Sequence, residues 1–219
     1  MHGMLKKITK NSRRFIKRLY IRRGHIFWRN IWLTLLLVIS LAAWQADQIN
    51  QGRKEQQAQL TPTQRQHQAF INRLAPVAKG TQRQYGVPAS ITLAQAILES
   101  DWGQSKLATD YNNFFGVKAS SGMRKVTLPT KEVQDGQWVT VQAPFRWYTS
   151  WQESIWDHGK LLASGTQDNP RRYEAVIQAA NYQAAARALV TGGYATDPDY
   201  ANKLIRVIES YDLDRFDVR

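Results

Sequence analysis

Residues 94–103 read AQAILESDWG, an apolar run that closes on two carboxylates and a glycine. The apolar residues recur at helical spacing, and proline is favoured in a first turn, so a helix is predicted from near Pro88 to near Gly103. Glu99 then stands in its last turn, where the negative end of the helix dipole and apolar neighbours both raise the pKa of a carboxyl group. A raised pKa suits a general acid, although an ordinary solvated glutamate at a helix end remains the alternative.

Helical spacing also extends to both sides of this stretch. Before it, apolar residues from Phe70 onward recur at i, i+4, i+7 and i+8, the pattern of one helix face, and Gly86 interrupts that helix. Further helices are predicted over residues 151–163, 173–180 and 182–190. Asp197-Pro198 is expected to cap a last helix, with Asp as the N-cap and Pro in the first helical position.

Short β-prone runs separate the two helical parts, at residues 126–128, 132–133 and 138–141. Asp135-Gly136 lies between the last two, and this dipeptide is a strong signal for a two-residue hairpin turn. The predicted fold class is therefore mainly α (α+β), a helical domain with a small β-hairpin lobe.

The net charge of +13 is concentrated at the N-terminus. Residues 1–46 hold ten Lys or Arg and no acid, which leaves 20 basic against 17 acidic residues for the rest of the chain. Because the charge belongs to one tail and not to a domain surface, nucleic acid is not an expected partner.

An apolar segment follows the basic tail. No charge interrupts residues 31–46, and tryptophans stand near both ends, where indoles favour a membrane interface. We predict a cytoplasmic tail over residues 1–25 and a transmembrane anchor over 26–46, approaching the ~20 residues that span a bilayer. Because the positively charged flank of a membrane span stays on the cytoplasmic side, the chain that follows the anchor is expected outside the cytoplasm. A cleaved signal peptide is the alternative, for which residues 42–46 offer a poor cleavage site.

The rest of the chain is predicted to form a stalk and one domain. Residues 47–68 are rich in Gln and nearly free of large apolar side chains, so they cannot fold alone, whereas 69–219 are expected to form the domain. Cysteine is absent, which excludes disulfides and thiolate chemistry. No metal-binding or phosphate-loop motif is present, and neither a metal nor a cofactor is expected.

Five motifs resemble those of one known family. They are AQAILESDWGQSKLA, NNFFGVKA, TKEV, FRWYTSWQESIWDH and GGYATDPDYANKLI, in this order, within about residues 70–213. Their sequence and spacing resemble glycoside hydrolase family 73, the glucosaminidases of bacterial autolysins and of the flagellar rod's peptidoglycan hydrolase. One departure is Asp101, where many relatives have Gly. The resemblance implies a lysozyme-like fold and an extracytoplasmic endo-β-N-acetylglucosaminidase that cleaves the β-1,4 bond between N-acetylglucosamine and N-acetylmuramic acid in peptidoglycan.

The same resemblance suggests the site residues. Glu99 corresponds to the proton donor, Glu132 to a second carboxylate on the β-lobe, and Tyr194 to a tyrosine near the cleavage point. Glycosidases use two carboxylates across the bond, or a substrate acetamido group in place of one. Glu132 is otherwise an exposed strand charge, and Tyr194 a core aromatic. The residues expected to line the sugar groove are Asn112, Asn113, Phe114, Trp147 and Tyr148.

Other functions remain compatible with these residues. A muramidase or a lytic transglycosylase on the same fold is the main alternative, and the reducing end of the product distinguishes them. A non-catalytic wall-binding domain is a third possibility, which the presence of Glu99 disfavours. Asp157-His158, on a predicted helix without ligand-like spacing, is interpreted as structural.

Overall fold

The computed structural model describes residues 21–22, 25–26, 28–134 and 137–218. Most of the predicted cytoplasmic tail and the Asp135-Gly136 turn lie outside the described residues. The chain divides into two units, residues 1–61 and 62–219.

One long helix dominates the first unit. It is preceded by the antiparallel two-residue strands β1 (Ile21–Arg22) and β2 (His25–Ile26), and it runs over Trp28–Ala58 (α1). The part Trp28–Gly52 is long and apolar enough to cross a membrane, with a mean hydropathy of 1.3, and most of its large apolar side chains are exposed. The Gln-rich segment begins inside this helix, since α1 continues without a break to Ala58.

The second unit is mostly helical. Its helices are α2 (Pro62–Tyr85), α3 (Ala89–Ser100), α4 (Lys106–Tyr111), α5 (Trp151–Ser164), α6 (Glu174–Ile177), α7 (Tyr182–Thr191), α8 (Tyr200–Tyr211) and a 3-10 turn at Leu213–Phe216. Helix α3 is at the centre and contacts α2, α7, α8 and the 3-10 turn. Ile91, Leu93 and Ala94 on it are fully buried, so apolar burial on several faces fixes the helix that carries Glu99.

The predicted helices are present, with different bounds. Helix α2 begins at Pro62, so the last residues of the expected stalk form its first turns. The short helix α4 and the 3-10 turn were not predicted. The expected cap of the last helix lies two residues too early: α8 begins at Tyr200 with Asp199 in the N-cap position, and the Asp197 carboxylate instead holds the turn before the helix, accepting from the Asp199 amide at 2.9 Å and from the Lys203 ammonium at 2.6 Å.

The β-lobe is a single hairpin. Strands β3 (Lys125–Gln134) and β4 (Gln137–Arg146) pair antiparallel from Lys125↔Arg146 to Gln134↔Gln137, so the predicted turn residues fall between the two strands. Both strands are longer than the β-prone runs. Strand β3 continues through Pro129, which is possible because both strands of a two-stranded sheet are edge strands and edge strands tolerate proline. The fold class is confirmed.

The N-terminus of α3 is capped from far along the chain. Its preceding residue, Pro88, offers no side-chain cap. Instead, the Asp217 carboxylate accepts hydrogen bonds from the Ser90 amide and hydroxyl, both at 2.8 Å. Gln82 reinforces the junction, since its Oε1 accepts from the amides of Ala89 at 3.1 Å and Val218 at 2.9 Å. A carboxylate at this position also complements the helix dipole.

Candidate active site

Glu99 lies in the last turn of α3, at the edge of a groove. The helix ends because Asp101 and Trp102 adopt left-handed conformations, with φ of 48° and 58°. The carboxyl group faces a cavity of about 800 Å³ that is also lined by Phe115, Tyr194 and Tyr200. A carboxyl group at the wall of an open groove is suitably placed to act on a long polymer.

A buried tyrosine holds one oxygen of this carboxyl group. The Tyr200 hydroxyl donates to Glu99 Oε1 at 2.7 Å, and Gln95 Nε2 donates to that hydroxyl at 3.2 Å. Among the described residues, none forms a hydrogen bond with Oε2 of Glu99. The arrangement fixes the carboxyl plane through Oε1 and leaves Oε2 to carry a proton toward a ligand.

The pKa of Glu99 is raised, because burial of its carboxyl group disfavours the charged form, and the hydrogen bond from Tyr200 lowers it by less. The residue as a whole is exposed, so its carboxyl group is reachable from the groove although neighbouring protein partly desolvates it. The raised pKa that the sequence predicts for Glu99 agrees in direction, and its role as general acid stays a prediction.

Tyr194 connects Glu99 to a second buried group. Its ring stacks on that of Tyr200, with centroids 5.8 Å apart, and its hydroxyl lies 3.3 Å from His158 Nε2. Burial and the nearby charge of Glu99 raise the pKa of Tyr194 well above its usual value, so the phenol stays neutral. It is a hydrogen-bonding group at this groove and not a charged one.

His158 lies behind Tyr194 and is completely buried. Its ring stacks on Phe115 at 3.9 Å, and desolvation lowers its pKa to about 3, so it is neutral at physiological pH. No described residue forms a hydrogen bond with Nδ1. We assign the hydrogen to Nε2, since this tautomer leaves only a lone pair unpaired. His158 then donates to the Tyr194 oxygen, and the Tyr194 hydrogen is free to point into the groove.

Three of the residues expected to line the groove are buried instead. Asn113 and Tyr148 are each 1% exposed and Phe114 3%. The Asn113 amide braces the backbone of Val117, Phe114 packs on Phe70, and the Tyr148 hydroxyl donates to Asp157 at 2.7 Å. These side chains therefore support the groove wall and do not face a sugar, which corrects the expectation for all three.

The remaining expected residues are less buried. Asn112 is half-buried and donates to the Tyr148 carbonyl at 3.2 Å, while Trp147 is 44% exposed and lies against Tyr111 and Arg124. Neither lines the cavity around Glu99. Glu132 occupies β3 opposite Val139, but its side chain lies outside the described residues.

Two contributors were missed from the sequence, Tyr200 and the contact of His158 with Tyr194. Tyr200 belongs to the same motif as Tyr194, six residues later, but nothing local shows that it reaches Glu99. His158 was interpreted as structural; its burial agrees, and its position beside Tyr194 was not anticipated.

Comparison with known proteins identifies the domain. A sequence model of the glucosaminidase family, described as mannosyl-glycoprotein endo-beta-N-acetylglucosaminidase, matches residues 75–213. The chain belongs to the glucosaminidase family. The match begins within α2 and ends at the 3-10 turn, so the family domain and the second unit nearly coincide.

Individual glucosaminidase relatives agree with this placement. The exo-glucosaminidase LytG of Bacillus subtilis is 49% identical over 152 residues, covering 69% of this chain and 54% of LytG. A probable N-acetylmuramidase of Lactococcus lactis is 42% identical over 153 residues, covering 68% of this chain and 35% of that protein. The catalytic domain of the Listeria monocytogenes autolysin Auto superposes with a TM-score of 0.68 at 36% identity, covering 77% of this chain and 97% of that one. The chain thus spans about half or less of these two curated relatives.

Proposed function

We propose that this glucosaminidase-family protein hydrolyses peptidoglycan, cleaving the β-1,4 bond between N-acetylglucosamine and N-acetylmuramic acid with Glu99 as general acid. The observation that carries the proposal is the Glu99 carboxyl group, which has a raised pKa, is held by Tyr200 and opens into a cavity of about 800 Å³. Its segment lies within the family match.

The first step follows from the geometry of the carboxyl group. Protonated Glu99 gives its Oε2 proton to the glycosidic oxygen as the bond to the anomeric carbon breaks, and the leaving sugar departs with a hydroxyl group. Glu99 becomes a carboxylate, and the Tyr200 hydrogen bond stabilises that charge. A water molecule then supplies hydroxide to the anomeric carbon, and its proton regenerates a neutral acid.

The partner of Glu99 in this reaction is either Glu132 or the substrate itself. A base acting on water requires a separation of about 6.5–9.5 Å between the carboxyl groups, and a direct nucleophile about 5–5.5 Å. In the substrate-assisted route, the 2-acetamido oxygen attacks the anomeric carbon, and Tyr194 orients it. We expect Glu132→Ala to be strongly impaired, but less than Glu99→Gln, because the acetamido group partly substitutes.

The decisive experiment compares Glu99→Gln with wild type on purified peptidoglycan, by zymogram and by turnover of a defined glycan. Loss of a general acid costs about 10²–10⁴-fold in rate. Glu209→Gln, an exposed glutamate on α8, is the matched control and should retain activity. Wall-clearing by a folded Glu99→Gln protein within a few-fold of wild type would contradict the assignment.

The bond cleaved needs a separate measurement, because the name of the Lactococcus relative favours a muramidase as the second candidate. Borohydride reduction of the products followed by mass spectrometry identifies the new reducing end. A glucosaminidase leaves reduced N-acetylglucosamine, a muramidase reduced N-acetylmuramic acid, and a lytic transglycosylase an anhydro product that is not reduced.

We also propose that α1 is a retained membrane anchor, with the second unit outside the cytoplasm. The support is the apolar part Trp28–Gly52 together with the ten basic residues of the preceding sequence. A reporter fused after Arg219 should be active only outside the cytoplasm. Release of the protein with an N-terminus near Gln45 would instead establish a cleaved signal peptide.

A further inference from the structure

A second cavity adjoins the one that holds Glu99. It has a volume of about 510 Å³, and it shares Val117, Lys118 and Leu161 with the Glu99 cavity as common lining. The two cavities are therefore direct neighbours along this shared wall. We call this second cavity the basic pocket, and its charged lining residues are Lys118, Arg146, Asp157 and Lys160.

The charge of the basic pocket differs from that of its neighbour. The described part of its lining holds three cations and one anion, and the anion, Asp157, forms an ion pair with Arg146. Lys118 interacts with other residues of the protein, whereas Lys160 is exposed and makes no ion pair with a described residue. Among the described residues that line the Glu99 cavity, by contrast, two are carboxylates and one, Lys118, is a cation. An anion on the substrate is therefore favoured on one side of the site.

The walls of the basic pocket are built from fixed elements. Asn113 Nδ2 donates to the carbonyls of Val117 at 3.0 Å and Arg146 at 2.9 Å, and the Arg146 amide donates to Val117 at 2.9 Å. On α5, Asp157, Lys160 and Leu161 follow at i, i+3 and i+4, which places them on one helix face. The lysine thus projects from a rigid support beside a braced loop.

We propose that the basic pocket binds the carboxylate carried by the 3-O-lactyl arm of muramic acid, or by the peptide attached to it, with Lys160 as the main cation. This inference rests on the proposed function. Of the two sugars, only muramic acid bears this arm, so its capture sets which of the alternating sugars lies beside Glu99. The pocket would then determine which β-1,4 bond is cut.

The test uses the full-length protein in detergent and three glycan substrates with the same sugars. The first carries free lactyl carboxylates after removal of peptides, the second has those carboxylates capped as amides, and the third retains the peptides. We expect wild type to have a kcat/KM about five-fold higher for the free than for the capped strands, mainly through a lower KM. This is the size of effect expected from one partly exposed pair between Lys160 and a carboxylate. The preference should shrink at high salt.

Lys160→Ala should abolish the preference, Lys160→Glu should reverse it, and Lys160→Arg should retain it. Arg187→Ala, an exposed residue outside both cavities, should leave the preference as in wild type. Binding of the same strands to Glu99→Gln, with and without Lys160→Ala, repeats the comparison without catalysis. A preference for peptide-bearing strands alone assigns the ligand to the peptide carboxylates.

Two results would overturn the inference. One is a wild-type protein that treats free, capped and peptide-bearing strands alike. The other is a Lys160→Ala protein whose preference equals that of wild type. Failure of the proposed function looks different, since wild type would then cleave none of the three substrates, or would leave N-acetylmuramic acid at the new reducing ends, whatever the Lys160 variants do.

Discussion

Two histidine–tyrosine pairs in the second unit have nearly the same construction and different surroundings. His67 stacks on Trp102 at 3.5 Å and bonds the Tyr211 hydroxyl through Nδ1 at 2.8 Å. His158 stacks on Phe115 at 3.9 Å and lies 3.3 Å from the hydroxyl of Tyr194. The first pair joins α2 to α8 with both rings partly exposed, whereas His158 is completely buried beside the Glu99 groove.

The two pairs share their residue types and differ in their surroundings, so residue type alone does not predict a role for either pair. The outer pair fastens two helices, as many tyrosine hydrogen bonds do. The inner pair is more deeply buried. Its Tyr194 ring stacks on Tyr200, whose hydroxyl donates to the Glu99 carboxyl group. Position relative to that carboxyl group, and not residue type, should therefore decide what each substitution does.

The largest difference between the two pairs is expected in kcat when the tyrosine hydroxyl of each is removed. Tyr194→Phe deletes a donor that faces the groove, and we expect kcat to fall by about 10²-fold, as loss of one oriented donor does. Tyr211→Phe should keep kcat within about two-fold of wild type, because it only weakens a helix contact. Steady-state kinetics on a defined glycan measure both. Equal kcat values for the two variants would show that the inner and outer pairs do not differ in their effect on catalysis.

His158 should make stability depend on pH. Its pKa is about 3 in the fold against 6.5 for the free side chain, so the unfolded chain binds the extra proton first as pH falls. Stability is therefore retained above pH 6.5 and lost on descent toward pH 3, with a limiting slope of about 1.4 kcal/mol per pH unit. Thermal unfolding from pH 3 to 8 tests this. His158→Gln should flatten the curve in that window, and an unchanged slope would exclude His158 as its source.

Tyr200→Phe should shift the pH dependence of catalysis. The Tyr200 hydrogen bond lowers the pKa of Glu99, so its removal raises that pKa further. A general acid works while protonated, and the alkaline limb of kcat/KM should therefore move to higher pH, together with a modest loss of rate from poorer positioning. A limb that stays in place or moves to lower pH would indicate that another group sets it. Tyr211→Phe is the control that removes a distant hydroxyl.

The smallest effect is expected at the outer pair. His67→Leu should cost about 1 kcal/mol of unfolding free energy, mainly through the lost hydrogen bond, and leave kcat unchanged. Urea unfolding of His67→Leu, Tyr211→Phe and the double variant gives their coupling energy. Strict additivity of the two changes would show that the hydrogen bond contributes nothing.

The sequence predicts those features that depend on neighbouring residues. Helix α3 and the hairpin were predicted because helical spacing and the Asp135-Gly136 signal are local. The contact between Tyr200 and Glu99 joins residues 101 apart, and no local pattern encodes it. The sequence also does not show how deeply each side chain is buried, because motif residues that face a ligand are of the same types as those that support the groove wall from behind. Asn113, Phe114 and Tyr148 are of the second kind. The helix-end position and the resemblance both indicated Glu99, the resemblance alone indicated Tyr194, and the packing added Tyr200 and the contact of His158 with Tyr194.

The distant cap on α3 has a consequence for the order of synthesis. Ser90 and Asp217 are 127 positions apart, so the helix that bears Glu99 lacks its N-terminal carboxylate until the ribosome has passed Asp217. At about 5–20 residues per second, this interval lasts roughly 6–25 s. By then α1 has long been translated, since it ends at Ala58. A nascent chain that has not yet reached Asp217 therefore carries helix α3 without the carboxylate that caps its N-terminus.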